Sequence, residues 1–462
     1  MDTHNDTLRA HPESGTDNGS LSRRHFMGTA AALAGAVSAK PLWGAAPESV
    51  PLERLTPLGE AKGVRPGRVV WVHDPHVLDW QGPGHGHWWQ PEHLSQDRAD
   101  AMMQHAVCEL AGAATPAEAW ARLFRHFNAA GGRGDTGYRK GEKVAVKPNW
   151  VGLIWRVPNV DPETYALTRQ IDYMNTAPQL LVALLRQLTG EAGVRPADIT
   201  VSDTLANLAN EYYDIMHGEF PQVRYEDHAG KFGRVAVTPS DVPFHWSYRP
   251  EGVRQDHVPT CFAEATYLIN FANLKAHMGS GVTLCAKNHL GSLVRWPVEE
   301  GYYNMHPGCF AKETGVYRTL VDLMGHAHLG GKTVLHLIDG LFSGVHPRDA
   351  EPKPMQVPPF DGQWPCSLLA SQDAVAVDSV AFDFLWADRD DFPRQPGADD
   401  YLHEAALAGD PPSGTFYDPD HATATRRLGS LGVHEHWNNA EQKQYSRNLG
   451  TGRGIELIPV ML

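Results

Sequence analysis

Two hydrophobic periods alternate along this chain. Short runs that are apolar at nearly every position recur: "RVVWVHD" from Arg68, "EKVAVKPNW" from Glu142, "DITVSDT" from Asp198, "ATYLINFANLKAH" from Ala265, "GKTVLHLIDGLFSG" from Gly331, "CSLLASQD" from Cys366 and "GIELIPV" from Gly454. Each is the length of a strand buried on both faces. Between them lie segments with a 3.6-residue apolar spacing: "DRADAMMQHAVCELAG" from Asp97, "PAEAWARLFRHFN" from Pro116, "APQLLVALLRQLTG" from Ala177, "VYRTLVDLMGHA" from Val316 and "AVAVDSVAFDFLW" from Ala374. These predict helices, the second opened by Pro116 at its first position. Residues 40–66 are rich in Pro, Gly and Ala without periodicity and read as a linker. Strands alternating with helices predict an α/β fold over 67–462, with a mainly parallel sheet covered by helices on both faces. It is either one elaborate domain or two lobes around a cleft.

Folds of this kind place their chemistry where strand carboxyl ends meet loops and helix N-termini. Lys147 and Asn149, Asp203, and His277 all fall at such ends. The stretch "NLKAHMGSGVTLCAKNHLG", Asn273 to Gly291, is the densest. Val282, Ala286, Leu290 and Val294 form a stripe that predicts a helix opening at about Gly281. Thr283 and Lys287 then share a neighbouring face, beside Asn288. The N–H groups of that helix start would favour an anion, Lys287 would add a second attraction, and His277 would move a proton. A glycine turn, a snorkelling lysine and a capping histidine would use the same residues without any ligand. Asp373 reads as the N-cap of the following helix, and Asp378, inside that apolar helix, requires a partner if buried. "HDPH" and "HGH" could offer imidazoles to a transition metal, but His85 and His87 alone are too few ligands. There is no GxxxxGK[ST] loop and no HExxH.

Composition narrows this picture in three places. A formal charge of −14 with no basic stripe argues against a nucleic-acid partner. The five cysteines are widely spaced with no CxxC pair, so no iron–sulfur cluster is expected, and their odd number prevents complete internal pairing. Near the start, "SRRHFMGTAAALAGAVSA" joins Arg23 and Arg24 to a weakly apolar Ala/Gly run with a small-x-small end. That is a twin-arginine export signal, residues 1–39, cleaved after Ala39 or near Ala45. The run is too short to span a membrane, and no later one reaches the ~20 apolar residues a spanning helix needs. The mature protein is therefore expected to be soluble and periplasmic or extracellular, with the twin-arginine translocase as its partner during export. That route carries folded proteins, often with a cofactor in place.

The ordered blocks "KVAVKPN", "ITVSDT", "YLINFANLKAHMGSGVTLCAKNHLGSL", "LHLIDG" and "LLASQDAVAVDSVAFDFL" resemble the family carrying domain of unknown function 362, over roughly residues 68–460. Many of its members are twin-arginine exported. More distantly, the spacing of His277, Gly281, Thr283 and Lys287 is similar to a segment of the nickel-pincer lactate racemases. There the lysine tethers a nickel-bearing nucleotide and the histidine is acid/base on a 2-hydroxy acid. That segment has two glycines and an Arg where this chain has Leu284, Cys285 and Ala286, so the likeness implies a shared scaffold and site position rather than a shared reaction. The expectation is an exported enzyme acting on a small anionic organic molecule, with a metal or organometallic cofactor as one option. His277, Lys287 and Asp203 would be catalytic, and Lys147, Asn149, Gly281, Thr283 and Asn288 would bind the ligand. The alternative is a non-catalytic periplasmic binding or maturation protein using the same cleft.

Overall fold

The run from Tyr267 to Asn273 is buried at every position. Tyr267, Ile269 and Phe271 join one hydrophobic cluster, whereas Leu268 and Ala272 join another. A strand with period-two side chains needs apolar residues at both parities only when both of its faces are covered. The sheet is thus sandwiched as expected. The structure, a computed structural model, describes residues 55–168, 172–248, 255–295, 302–345, 351–388, 394–421 and 428–462. The expected export signal, residues 1–39, lies outside the described residues.

Along the chain the elements run β1 (Leu58–Gly59), β2 (Arg68–His73), α1 (Gln96–Ala111), α2 (Pro116–Ala130), β3 (Val144–Pro148), α3 (Pro178–Arg186), β4 (Ile199–Ser202), α4 (Asn210–Glu219) and β5 (Arg224–Asp227). They continue with β6 (Val235–Ala236), β7 (Pro239–Phe244), β8 (Asp256–Pro259), α5 (Thr260–Glu264), β9 (Tyr267–Asn273), β10 (Lys275–His277), β11 (Gly281–Thr283) and α6 (Cys285–Asn288). The remainder holds α7 (His306–Phe310), α8 (Thr319–Gly325), β12 (Thr333–Gly340), β13 (Ser367–Ser371), α9 (Ala374–Asp388), α10 (Asp400–Ala406), β14 (Val433–His434) and β15 (Glu456–Met461). Local signals explain several boundaries. The Thr115 side chain accepts from Glu118 N to cap α2, and Gly112 in the left-handed region closes α1.

Nine strands form one sheet in the order β15-β2-β13-β12-β9-β3-β4-β5-β6. Every neighbouring pair is parallel except the two made by β13. From β3 the chain winds outward through β4 and β5, then returns to β9 on the other side of β3 and moves on to β12. The strand order therefore reverses between β3 and β9, and open α/β sheets form their crevice at the carboxyl ends of such strands. The described residues cluster as one compact unit.

The expected linker is tied down where it is described. β1 pairs antiparallel with β14, Lys62 N donates to Asp373 Oδ2 (2.8 Å) and Val64 N to Gln372 Oε1 (3.0 Å). Among the described residues no helix is long and apolar enough to cross a membrane.

Candidate functional site

The stretch from Asn273 to Gly291 does not form the helix from Gly281 that its stripe predicts. β10 and β11 pair as a small antiparallel hairpin, with His277 opposite Gly281. Helix α6 starts only at Cys285. The reason lies in another element. Asp378 projects from α9 and accepts from Cys285 N (2.8 Å) and Ala286 N (3.0 Å), with Tyr401 OH at 3.2 Å. The anion at this helix start is the chain's own carboxylate, and it is also the partner that buried Asp378 required. Burial pushes Asp378 up to about 6, against those backbone donors. Asp373 caps α9 through Ala376 N (2.9 Å), as its position predicted.

Lys287, one turn on, opens into a cavity of about 580 Å³ at the carboxyl ends of β3 and β4. Lys147, Asn149, Asp203, His277, Thr283, Lys287 and Asn288 all line it, whereas Gly281 does not. Gly281 has a φ of +83°, and a Cβ there would lie 2.4 Å from Ala398 Cβ. Its task is to let the 395–398 segment pack behind the hairpin. Leu290 and Gly291 line it too, and the walls add residues the sequence did not single out: Trp155, Arg156, His228, Arg295, His306 and Phe310 among them.

The floor is a saturated polar cluster. Lys147 Nζ donates to Pro148 O (2.6 Å), Asp203 Oδ2 (3.1 Å) and Asn288 Oδ1 (3.0 Å), which uses all three of its protons. Burial pulls its ammonium below the usual lysine value, while Asp203 pulls the other way. Asp203 also accepts from Trp150 N and Leu205 N, each at 3.1 Å. Backbone comes close here. A Cβ at Gly291 would sit 2.9 Å from both Asp203 Oδ1 and Lys147 Nζ, so only glycine fits.

Lys287 is the opposite case. Among the described residues its ammonium has no hydrogen bond or ion pair. Nζ lies 5.9 Å from the ring centroid of Phe310. Burial lowers its pKa, with Cys309 opposing. Phe310 also packs against His277 (5.3 Å between ring centroids) and His306 (5.1 Å), so one ring gathers an amine and two imidazoles.

Those imidazoles have opposite polarity. His277 Nδ1 accepts from Gly279 N (2.9 Å) and Ser280 N (3.2 Å), which sets the neutral tautomer with its proton on Nε2. Asn304 Oδ1 accepts from His306 N (3.2 Å), so His306 Nδ1, 2.9 Å from the same oxygen, is the donor and Nε2 keeps its lone pair. Partial burial, then the Lys287 and Arg295 cations, lowers the His306 pKa. Arg295 is committed to Asp256, with Nη2 2.9 Å from Oδ2. With Lys147 and Arg295 paired, Lys287 and Arg156 leave the cavity net positive inside an acidic protein.

Among the described residues no three His, Cys, Asp or Glu side chains are grouped to hold a metal ion. In the "HGH" motif, His87 bonds Asp172 (2.9 Å) and stacks on Trp89. Cys285 Sγ lies against Leu337 O at 3.8 Å, and the five cysteines are free thiols.

A nine-stranded, mainly parallel α/β sheet with a polar-floored, apolar-walled cavity at its switch point is the class of protein described so far. The chain belongs to the family carrying domain of unknown function 362, whose model matches residues 144–383. The match is narrower than the 68–460 expected. It covers the sheet from β3 to β13 and the whole cavity lining, and leaves out β2 and β15. No curated protein matches the chain.

Proposed function

We propose that this protein is an enzyme acting on a small organic anion, bound in the cavity with its anionic group on Lys287. One observation carries the reading: an ammonium without hydrogen bond or ion pair among the described residues, in a net positive cavity. An uncompensated, partly buried cation costs stability, and a ligand anion would offset that cost. The Phe310, Leu290 and Trp155 side chains offer contact to an apolar body. His277 would donate from Nε2 to a developing negative charge, and His306 would accept a proton at Nε2. The chemistry is therefore acid–base, with donor and acceptor on two residues rather than both on His277. Lys147 and Asp203 hold the floor in place.

Ligand-induced thermal shifts across small carboxylates and phosphates test the proposal. At least one anion should stabilise the wild type, and Lys287→Met should lose about 1.5–3 kcal/mol of that binding, roughly 10- to 150-fold in Kd. With a turned-over anion in hand, His306→Gln should bind it but turn over about 10²–10⁴-fold more slowly. Equal stabilisation of wild type and Lys287→Met by the same anion would refute the site.

A further inference from the structure

We infer that the anion taken by this cavity also carries an O–H or N–H donor, and that Asn149 Oδ1 recognises it. The inference deepens the anion-site reading above and rests on it.

The argument is one of hydrogen-bond polarity, read along a chain of buried amides. Asn270 sits in β9 with no exposure, and its Nδ2 donates to Cys285 O (2.8 Å) and to His289 Nε2 (3.0 Å). Because Cys285 O is a carbonyl, the amide end of Asn270 is assigned, and Oδ1 must accept. It accepts from Asn288 Nδ2 (2.7 Å), which also donates to Lys147 O at 3.1 Å. Asn288 Oδ1 is thereby the accepting end, and it takes Lys147 Nζ (3.0 Å) and Asn149 Nδ2 (2.9 Å). Turning Asn288 over would set oxygen against oxygen at two contacts, with Lys147 O and Asn270 Oδ1, and turning Asn270 or Asn149 over would do so at one. Asn149 is last in the line. One of its two Nδ2 protons goes to Asn288, which fixes the amide's orientation and leaves its oxygen as the unmet acceptor.

That oxygen is buried and has no partner among the described residues. Asn149 is 6% exposed and lines the cavity. Thr283 Oγ1, also lining the cavity and without a partner, can turn to donate or accept and so imposes no polarity. Asn149 cannot turn. A ligand that brings a hydroxyl or amino proton satisfies it, whereas one that brings only carbon leaves a buried acceptor unmet, and one that brings a carbonyl repels it.

The test compares matched anions on the wild-type protein by calorimetry: benzoate against its monohydroxy and monoamino derivatives, and 3-phenylpropionate against its hydroxylated and aminated derivatives. The best donor-bearing member should bind at least about tenfold more tightly than its parent, the difference one well-placed buried hydrogen bond supplies. In Asn149→Ala the two should fall within about twofold. The wild-type comparison needs no variant, so poor folding of Asn149→Ala leaves it intact. If parent and derivatives bind equally, the anion site stands and this inference is wrong. A preference that persists in Asn149→Ala overturns the assignment to Asn149. If no carboxylate or phosphate binds at all, the anion-site reading fails and takes this one with it.

Discussion

Lys147 and Lys287 line the same cavity and stand in opposite states. Lys147 is 1% exposed and makes three hydrogen bonds, one of them to a carboxylate that is itself buried. Removing one member of such a pair leaves an uncompensated charge in a low-dielectric site, so Lys147→Met should lose about 3–5 kcal/mol of unfolding free energy in a denaturant titration. Lys287→Met should be neutral or stabilising, because the ammonium it removes has no hydrogen bond or ion pair among the described residues. A loss of several kcal/mol in Lys287→Met, or none in Lys147→Met, would reverse the two roles. The candidate residues at strand ends were legible because Lys, Asn and Asp directly after an all-apolar run stand out. Asn270 carried the same kind of signal, an amide inside a buried strand, and it anchors the relay that orients Asn149. His306 was not legible, since nothing in its neighbourhood repeats with a period and only the fold brings it to His277.

At the level of elements, the long runs were readable and the short ones were not. A strand buried on both faces and a helix buried on one leave patterns many residues long, and β3, β9, β12, α1, α2 and α9 all lie where the pattern places them. The hairpin β10–β11 and helix α6 have three or four residues each, too few to establish a period. Val282, Ala286 and Leu290 face inward from a strand, a helix and a 3-10 turn in succession, and so imitate one helical stripe. What backs the hairpin comes from far along the chain. Ala398 packs on Gly281, Gln395 Nε2 donates to Gly279 O (2.6 Å), and nearby Asp399 meets His436 Nε2 at 3.5 Å. Burial opposes charge on His436, but Asp383 and Asp399 prevail and lift it to about 10. A folded pKa above the unfolded ~6.5 means a stabilisation fully present below about pH 6.5 and lost as pH rises through about 10. The melting temperature should therefore fall from about pH 7 to pH 10 by more in the wild type than in His436→Gln. Parallel pH profiles would show that this imidazole is not charged in the folded protein.

On the scale of the whole molecule, a sheet reversing its winding between β3 and β9 brings together residues from four separate parts of the chain. That is why sequence reading could name most of one wall but not its opposite side. Export remains a separate proposal, carried by Arg23 and Arg24, because the translocase reads paired guanidinium groups rather than charge alone. Arg23→Lys with Arg24→Lys should leave an uncleaved precursor in the cytoplasm on fractionation, and normal export of that double variant would count against the signal. The central claim is narrower and concerns where an anion sits. Its most direct test is a crystal structure of the mature protein with the carboxylate or phosphate that raises its melting temperature most. The account predicts an anionic oxygen about 2.7–2.9 Å from Lys287 Nζ, the charge-assisted distance, with the ligand body against Phe310 between His277 and His306. An anion bound elsewhere, with Lys287 Nζ still unpaired, would contradict it.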